Sequence, residues 1–232
     1  MHRTVAVALL SLWIAYPAHT ADPPPQRDEL WGEFIDPDGD SNYRQDGDAI
    51  VISVNGTAHD LSAELGRMNA PRILRGASGD FIAQVKLSGS LEPEGMPIPE
   101  RVPFQASGLL LMKDDQNYIR LERAAILRDG ETVRYINFET RENGKLIPSQ
   151  AGRIRDDADL WLRIERHGKK VLGAVSPDGD RWTSLGPITL ELPDDLRIGI
   201  AAVNATEQPF EARFECFRLF SVVPETVTTV KP

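Results

Sequence analysis

Apolar and polar residues alternate one by one through most of this chain, and turn-forming pairs cut the alternation into short runs. Ile50, Ile52 and Val54 alternate with Val51 and Ser53 before Asn55-Gly56. Phe81, Ala83, Val85 and Leu87 alternate with Ile82, Gln84 and Lys86. A repeat of two puts successive side chains on opposite faces of a strand, whereas a helix would need apolar residues every three or four positions. Further runs follow at Ser107–Met112, Asn117–Arg123, Val133–Arg141, Asp159–Glu165, Lys170–Ser176, Leu196–Val203 and Phe210–Phe220. Asp129-Gly130, Asn143-Gly144, His167-Gly168 and Asp178-Gly179 separate several of them. Many short strands joined by tight turns predict an all-β, antiparallel sandwich or barrel and argue against a parallel sheet. The single helical candidate is His59–Gly66, with Asp60 as its cap and Gly66 as its end.

The amino terminus reads as a leader. His2 and Arg3 precede an apolar run from Val5 to Ala15, and Pro17, Ala18, Thr20 and Ala21 form a small-residue cleavage region. Eleven positions, ten of them apolar and one Ser11, fall short of the roughly 20 that a membrane-spanning helix needs. Residues 1–21 are therefore expected to be a signal peptide, residues 30–221 one folded domain and residues 222–232 a loosely held tail. Export follows as an expectation: secreted, periplasmic or in the cell envelope. The chain's 26 Lys and Arg face 35 Asp and Glu, a net charge of −9, and loss of Arg3 with the leader makes it more acidic. Such a field repels nucleic acid and anionic lipid. The lone Cys216 can form no disulfide within the chain, and its aromatic-rich run predicts a buried thiol.

Groups of residues farther apart carry a family resemblance. They are Trp31-Gly32-Glu33-Phe34-Ile35-Asp36-Pro37-Asp38-Gly39-Asp40; His59-Asp60-Leu61 running through Asn69-Ala70-Pro71-Arg72 to Gly79-Asp80-Phe81; Gly108-Leu109-Leu110-Leu111 with Asn117–Glu122; and Ser176–Gly179, Trp182 and Gly199–Ala202. The chain resembles an uncharacterised concanavalin A-like family related to the "regulation of enolase" protein and to the accessory sandwich domain of some xylosidases. That resemblance implies a two-sheet antiparallel jelly roll, export and carbohydrate binding. It implies no particular reaction, because a fold does not fix an activity.

Alternation also nominates a ligand face. Opposite the apolar positions of three strands stand Tyr118, Arg120 and Glu122; Tyr135, Asn137, Glu139 and Arg141; and Trp161, Arg163 and Glu165. If those strands are neighbours, rings and planar hydrogen-bonding groups share one surface. A saccharide calls for that mixture, since its hydroxyls bond carboxylate, amide and guanidinium groups while its C–H face packs on a ring. The competing reading is a solvated face with Arg–Glu cross-strand pairs. A glycoside hydrolase or lyase on the same scaffold is the alternative function, but the E-x-D-x-x-E strand of retaining concanavalin A-like glucanases is missing. Each candidate Glu also lies two residues from an Arg, which favours its ionised form. A third reading is a cell-envelope protein-interaction domain. The sequence marks no protein partner.

Asp36, Asp38 and Asp40 occupy alternate positions, as in calcium loops. Ser41 stands where such a loop has Gly and Gly47 where it has Glu, so calcium is the single cofactor candidate and the set is incomplete. With four scattered histidines and one cysteine, a zinc site is not expected. Asn55-Gly56-Thr57 and Asn204-Ala205-Thr206 match the acceptor triplet for N-glycosylation.

Overall fold

The computed structural model describes residues 28–95, 98, 101–153 and 159–222; the leader expected at 1–21 and the tail beyond Val222 lie outside them. A one-turn helix, α1 (Asp28–Trp31), opens the described chain. Sixteen strands follow: β1 (Glu33–Ile35), β2 (Asn42–Asp46), β3 (Ala49–Val54), β4 (Leu61–Ser62), β5 (Arg67–Met68), β6 (Arg72–Ser78), β7 (Phe81–Ser88), β8 (Phe104–Asp114), β9 (Asn117–Arg128), β10 (Glu131–Glu142), β11 (Lys145–Arg153), β12 (Leu160–His167), β13 (Lys170–Ser176), β14 (Thr183–Thr189), β15 (Asp195–Asn204) and β16 (Phe210–Ser221).

They form two seven-stranded antiparallel sheets and a small β4–β5 ribbon. The first sheet runs β1-β6-β15-β8-β9-β10-β11 and the second β14-β13-β12-β7-β16-β3-β2. The chain changes sheet after β1, β6, β7, β11, β14 and β15, and between β3 and β6 by way of the β4–β5 ribbon, which makes this a jelly-roll sandwich rather than a meander. Between the sheets, Ile119, Leu121, Ile136, Phe138, Ile198 and Ile200 meet Val85, Leu87, Leu162, Ile164 and Phe214. Burial of this kind stabilises by about 25 cal/mol per Å² of apolar surface, so the interleaved faces hold the two layers together.

A second apolar cluster lies on the other face of the first sheet. Leu74, Leu110, Met112, Tyr118, Ala201 and Val203 are covered there by Leu61 and Ala70 from a strap that includes β4 and β5. The Tyr118 hydroxyl donates to the Leu61 carbonyl (2.8 Å) and accepts the Ala63 N–H (3.2 Å), pinning the strap to β9.

The turn chemistry is as the sequence demands. Asn143 and Gly144 both have positive φ, 51° and 73°, between β10 and β11. A two-residue hairpin loop of this hand matches the twist of the flanking strands, and Asn-Gly adopts it at low cost.

Three expectations need correction. The stretch His59–Gly66 is not a helix: it holds β4 and one 3-10 turn at Ala63–Leu65. Asp60 forms an ion pair with Arg101 instead of capping. Cys216 is exposed, not buried. A bulge between Glu215 and Arg218 lets Phe214 and Phe217 both face inward and turns Cys216 outward at φ 52°. An extra residue in one strand breaks the period of two, so the aromatic neighbours gave the wrong side. Finally, β12 belongs to the second sheet, whereas β9 and β10 are partners in the first. The expected three-strand ligand face is therefore split.

Candidate ligand pocket on the first sheet

β9 and β10 run antiparallel with Arg120 opposite Glu139 and Glu122 opposite Asn137. Ile119, Leu121, Ile136 and Phe138 point into the core, so the intervening polar residues are driven onto the opposite face. That face is not open solvent. The strap covers one side, the segment from Arg101 to Phe104 another, and Leu146 of β11 a third. Together they enclose a cavity of about 420 Å³, within the range of roughly 300–1,000 Å³ usual for small-molecule pockets.

Its floor is ionic. Arg120 is 5% exposed and its Nη2 donates to Glu139 Oε2. Arg141 donates through Nη1 to the same oxygen (2.9 Å) and through Nε and Nη2 to both oxygens of Glu64 (2.7 and 2.9 Å). Burial alone would raise the Glu139 carboxyl; the Arg120 guanidinium overrides it and, with Arg141, holds it at about 2. Burial pushes the Glu122 carboxyl up, and Arg120, 3.6 Å away, offsets only part of that. Burial likewise pushes the Tyr135 hydroxyl up to about 12, helped by the negative charges of Glu122 and Glu139. Two nitrogens of Arg120, Nε and Nη1, are buried without a hydrogen-bond acceptor. Both atoms are shielded from solvent, and Nη1 faces Glu122 Oε1 at 3.6 Å, so Arg120 acts as the charged centre that holds Glu122 and Glu139 in place beneath the cavity.

Of the ten ligand residues read from the sequence, Arg120, Tyr135, Asn137, Glu139 and Arg141 line this cavity. Glu122 sits behind them, 1% exposed, accepting weakly from Asn137 Nδ2 at 3.4 Å. Tyr118 is 1% exposed and committed to the strap, so it offers no ring to a ligand. Trp161, Arg163 and Glu165 lie on the other sheet. Their alternation was read correctly, but alternation assigns a face and not a sheet. Arg163 stacks on the Trp182 ring (3.8 Å) and donates to Gln84 (3.1 Å), while Trp161 packs on Gly179. Trp182 in turn donates to the Gly179 carbonyl (3.0 Å), so these rings brace the Ser176–Trp182 hairpin.

Asp60, Ser62, Glu64, Leu65, Arg101, Val102, Phe104 and Leu146 also line the pocket and were not singled out as ligand residues. They come from loops and a short ribbon, and no local spacing announces them. A wider cleft, about 530 Å³, is lined by Arg75, Ser78, Asp195 and Ser221 together with Phe81 and Leu196, and it includes none of the ligand residues read from the sequence.

The acidic loop assembles differently from the calcium expectation. Asp36 Oδ2 accepts the Ser41 N–H (2.8 Å) and stays apart, while Asp38 and Asp40 gather with the fully buried His59. His59 Nε2 lies 2.8 Å from Asp40 Oδ1, and Asn69 Nδ2 donates to Asp38 Oδ2 (2.6 Å). Two carboxylates and an imidazole fall short of the six to eight oxygens that calcium takes. Of the two glycosylation triplets, Asn204 is fully buried and its Nδ2 donates to the carbonyls of Asn55 and Gln208 (2.8 and 3.0 Å), which leaves no room for a glycan.

The sequence signature of a family described as "Protein of unknown function (DUF1349)" matches residues 55–221. The chain belongs to this family. Every pocket residue named above falls within the matched stretch, whereas Asp36, Asp38 and Asp40 precede it. No curated protein matches the chain. Among solved structures, a functionally unknown protein from Saccharomyces cerevisiae superposes with a TM-score of 0.66 at 15% identity, over 84% of this chain and 98% of that one. A legume lectin-like domain from Entamoeba histolytica gives 0.53 at 13% identity, over 86% and 94%. The GH43 BlXynB protein from Bacillus licheniformis gives 0.56 at 17% identity, over 74% of this chain but one third (33%) of that one. At these identities the likeness is one of fold: this DUF1349 chain shares a concanavalin A-like sandwich with lectin-like and glycosidase-associated domains.

Proposed function

We propose that this DUF1349 protein is an exported, non-catalytic carbohydrate-binding sandwich that holds a saccharide over β9 and β10. One observation carries the reading: the guanidinium groups of Arg120 and Arg141, the amide of Asn137, the carboxylate of Glu139 and the ring of Tyr135 converge on one cavity. Sugar hydroxyls both donate and accept, so they suit a floor that mixes guanidinium and amide donors with carboxylate acceptors. Tyr135 supplies a ring beside the same floor. Lining charges alternate in sign, Arg101 with Asp60, Arg141 with Glu64 and Arg120 with Glu139, which suits a neutral polyol better than a polyanion. Calcium has no part in this reading.

The test is a glycan-array screen followed by calorimetry on the best hit. Replacing Asn137 with alanine is expected to weaken that binding roughly tenfold, the loss of about one good hydrogen bond. Unchanged affinity would remove this pocket from consideration. Export is checked separately by the mass of protein secreted from a host cell: cleavage between Ala18 and Asp22 is expected, and an intact Met1 in the medium or retention in the cytosol sinks it.

A glycosidase reading draws support from the opposite pKa shifts of Glu122 and Glu139, the pattern of an acid–base pair. Against it, Glu122 is sealed behind Arg120 and Asn137, and Glu139 at about 2 is a feeble base near neutral pH. No reducing sugar should be released from the array hits. Release that disappears in Glu122→Gln would replace the binding reading with the enzymatic one.

A further inference from the structure

The rim of the pocket differs in kind from its floor. Leu65, Val102 and Leu146 stand around the mouth with 56%, 53% and 46% of their surfaces exposed. Only five large apolar residues are exposed to this degree among the described residues, and three of them stand at this one opening. Single exposed apolar residues are ordinary, but gathering them around one opening marks a surface that meets something apolar. They arrive there from three separate elements: the 3-10 turn of the strap, the segment before β8, and the edge strand β11. Such a cluster keeps its apolar surface in water when the pocket is empty, so a ligand that covers it gains the hydrophobic term.

We infer that the site takes an amphipathic glycoside, with the sugar head on the charged floor around Arg120 and an apolar aglycone lying against Leu65, Val102 and Leu146. This rests on the sugar-binding reading and sharpens it. Floor and rim each exclude simpler ligands. A plain lipid or aromatic compound would cover the polar lining of Asn137, Glu139 and Arg141 with nothing that can hydrogen-bond to it. A free sugar or an unsubstituted polysaccharide would satisfy the floor and leave the rim bare. The surplus of acidic residues over the whole chain, 35 against 26 basic, also disfavours an anionic lipid surface as the source of the apolar part.

Paired ligands test this. Methyl and octyl β-glycosides of glucose, galactose, mannose and xylose are titrated into the purified protein by calorimetry, with the octyl compounds kept below their micelle concentrations. For the sugar that binds, the octyl form is expected to bind at least tenfold more tightly, since each methylene buried tightens binding roughly fourfold. Leu65→Ser and Leu146→Ser, both at exposed positions, should erase most of the difference between the octyl and methyl forms. A second arm measures retention of the protein on phosphatidylcholine vesicles with and without a glycolipid bearing the same sugar. A gain with octyl glycosides in solution assigns a free glycoside. Retention on glycolipid vesicles alone assigns a lipid-borne head. Equal affinity for methyl and octyl forms, with no retention on vesicles, overturns the inference while leaving sugar binding intact. Failure of every glycoside to bind overturns the sugar-binding reading itself.

Discussion

Arg120→Met is expected to lower the unfolding free energy at pH 7 by about 3–5 kcal/mol and to abolish saccharide binding. Methionine fills much of the same volume, so packing is not the main loss. The loss comes from Glu139 and Glu122, which stay in a site shielded from water without the guanidinium that faces both. A broken buried pair costs far more than the intact pair gains, because the surviving charge has no compensation. Acidity gives the expected signature. In the native protein Glu139 has its carboxyl depressed to about 2, so it contributes stability above the ordinary carboxylate range that is lost as pH falls towards 2. Glu122 has the opposite sign: its carboxyl is raised, so its favourable contribution is present at low pH and fades as pH rises through that raised value. Without Arg120 burial acts on Glu122 unopposed by its nearest cation and Glu139 keeps Arg141 alone, so both carboxyls move up and the variant is relieved as they protonate. The gap between variant and native protein should therefore be widest at pH 7 and narrow towards pH 4. Urea unfolding at the two pH values measures it. A gap that does not change with pH would mean that Arg120 acts through packing and that the floor is not electrostatically organised.

What the sequence revealed and what it hid divide along a physical line. Period-two patterning located the long strands, because β7, β12 and β16 bury one face more than the other and β9 and β10 turn Ile119, Leu121, Ile136 and Phe138 to the core. It put Arg120, Asn137, Glu139 and Arg141 on the opposite side, which in β9 is buried as well. Strands without a buried stripe stayed hidden. β2 is exposed along its whole length, and β14 carries Gly186-Pro187, residues that weaken any strand signal and suit an edge. Sheet membership is a long-range property. Nothing local says that the connection after β11 crosses to the other layer, so Trp161 was grouped with Tyr135 although the sandwich core lies between them. The pocket walls were hidden for a similar reason. Asp60 and Arg101 are 41 residues apart in sequence and meet only because the strap and the segment before β8 fold over the same sheet. Alternation therefore reached the residues of the pocket floor on β9 and β10, and the walls from the strap and the segment before β8 were beyond it.

Phe138 ties that site to the rest of the molecule, and its removal is the other large effect to expect. It is fully buried on β10, between Asn137 and Glu139 in sequence but pointing the opposite way. Its ring crosses the core to two glycines of the second sheet: a β-carbon added to Gly173 or Gly186 would stand 3.2 Å from the ring. Phe138→Ala should cost about 3–5 kcal/mol through lost burial and the cavity left behind. Gly173→Ala should cost about 1–3 kcal/mol in the native background, because the new methyl crowds a ring that has little room to move. Once the ring is gone, the same methyl enters empty space and removes backbone freedom from the unfolded chain, so its cost should fall to near zero or turn favourable. The two substitutions are thus expected to fall short of additivity by about 1–3 kcal/mol, a coupling typical of residues in direct contact. Strict additivity in urea unfolding would mean that the ring does not lodge against Gly173. Saccharide binding should also weaken in Phe138→Ala, although Phe138 never touches the cavity. The strand that presents Tyr135, Asn137, Glu139 and Arg141 is held in place from its core side, and a loosened β10 cannot keep the guanidinium and carboxylate groups at the separations a ligand requires.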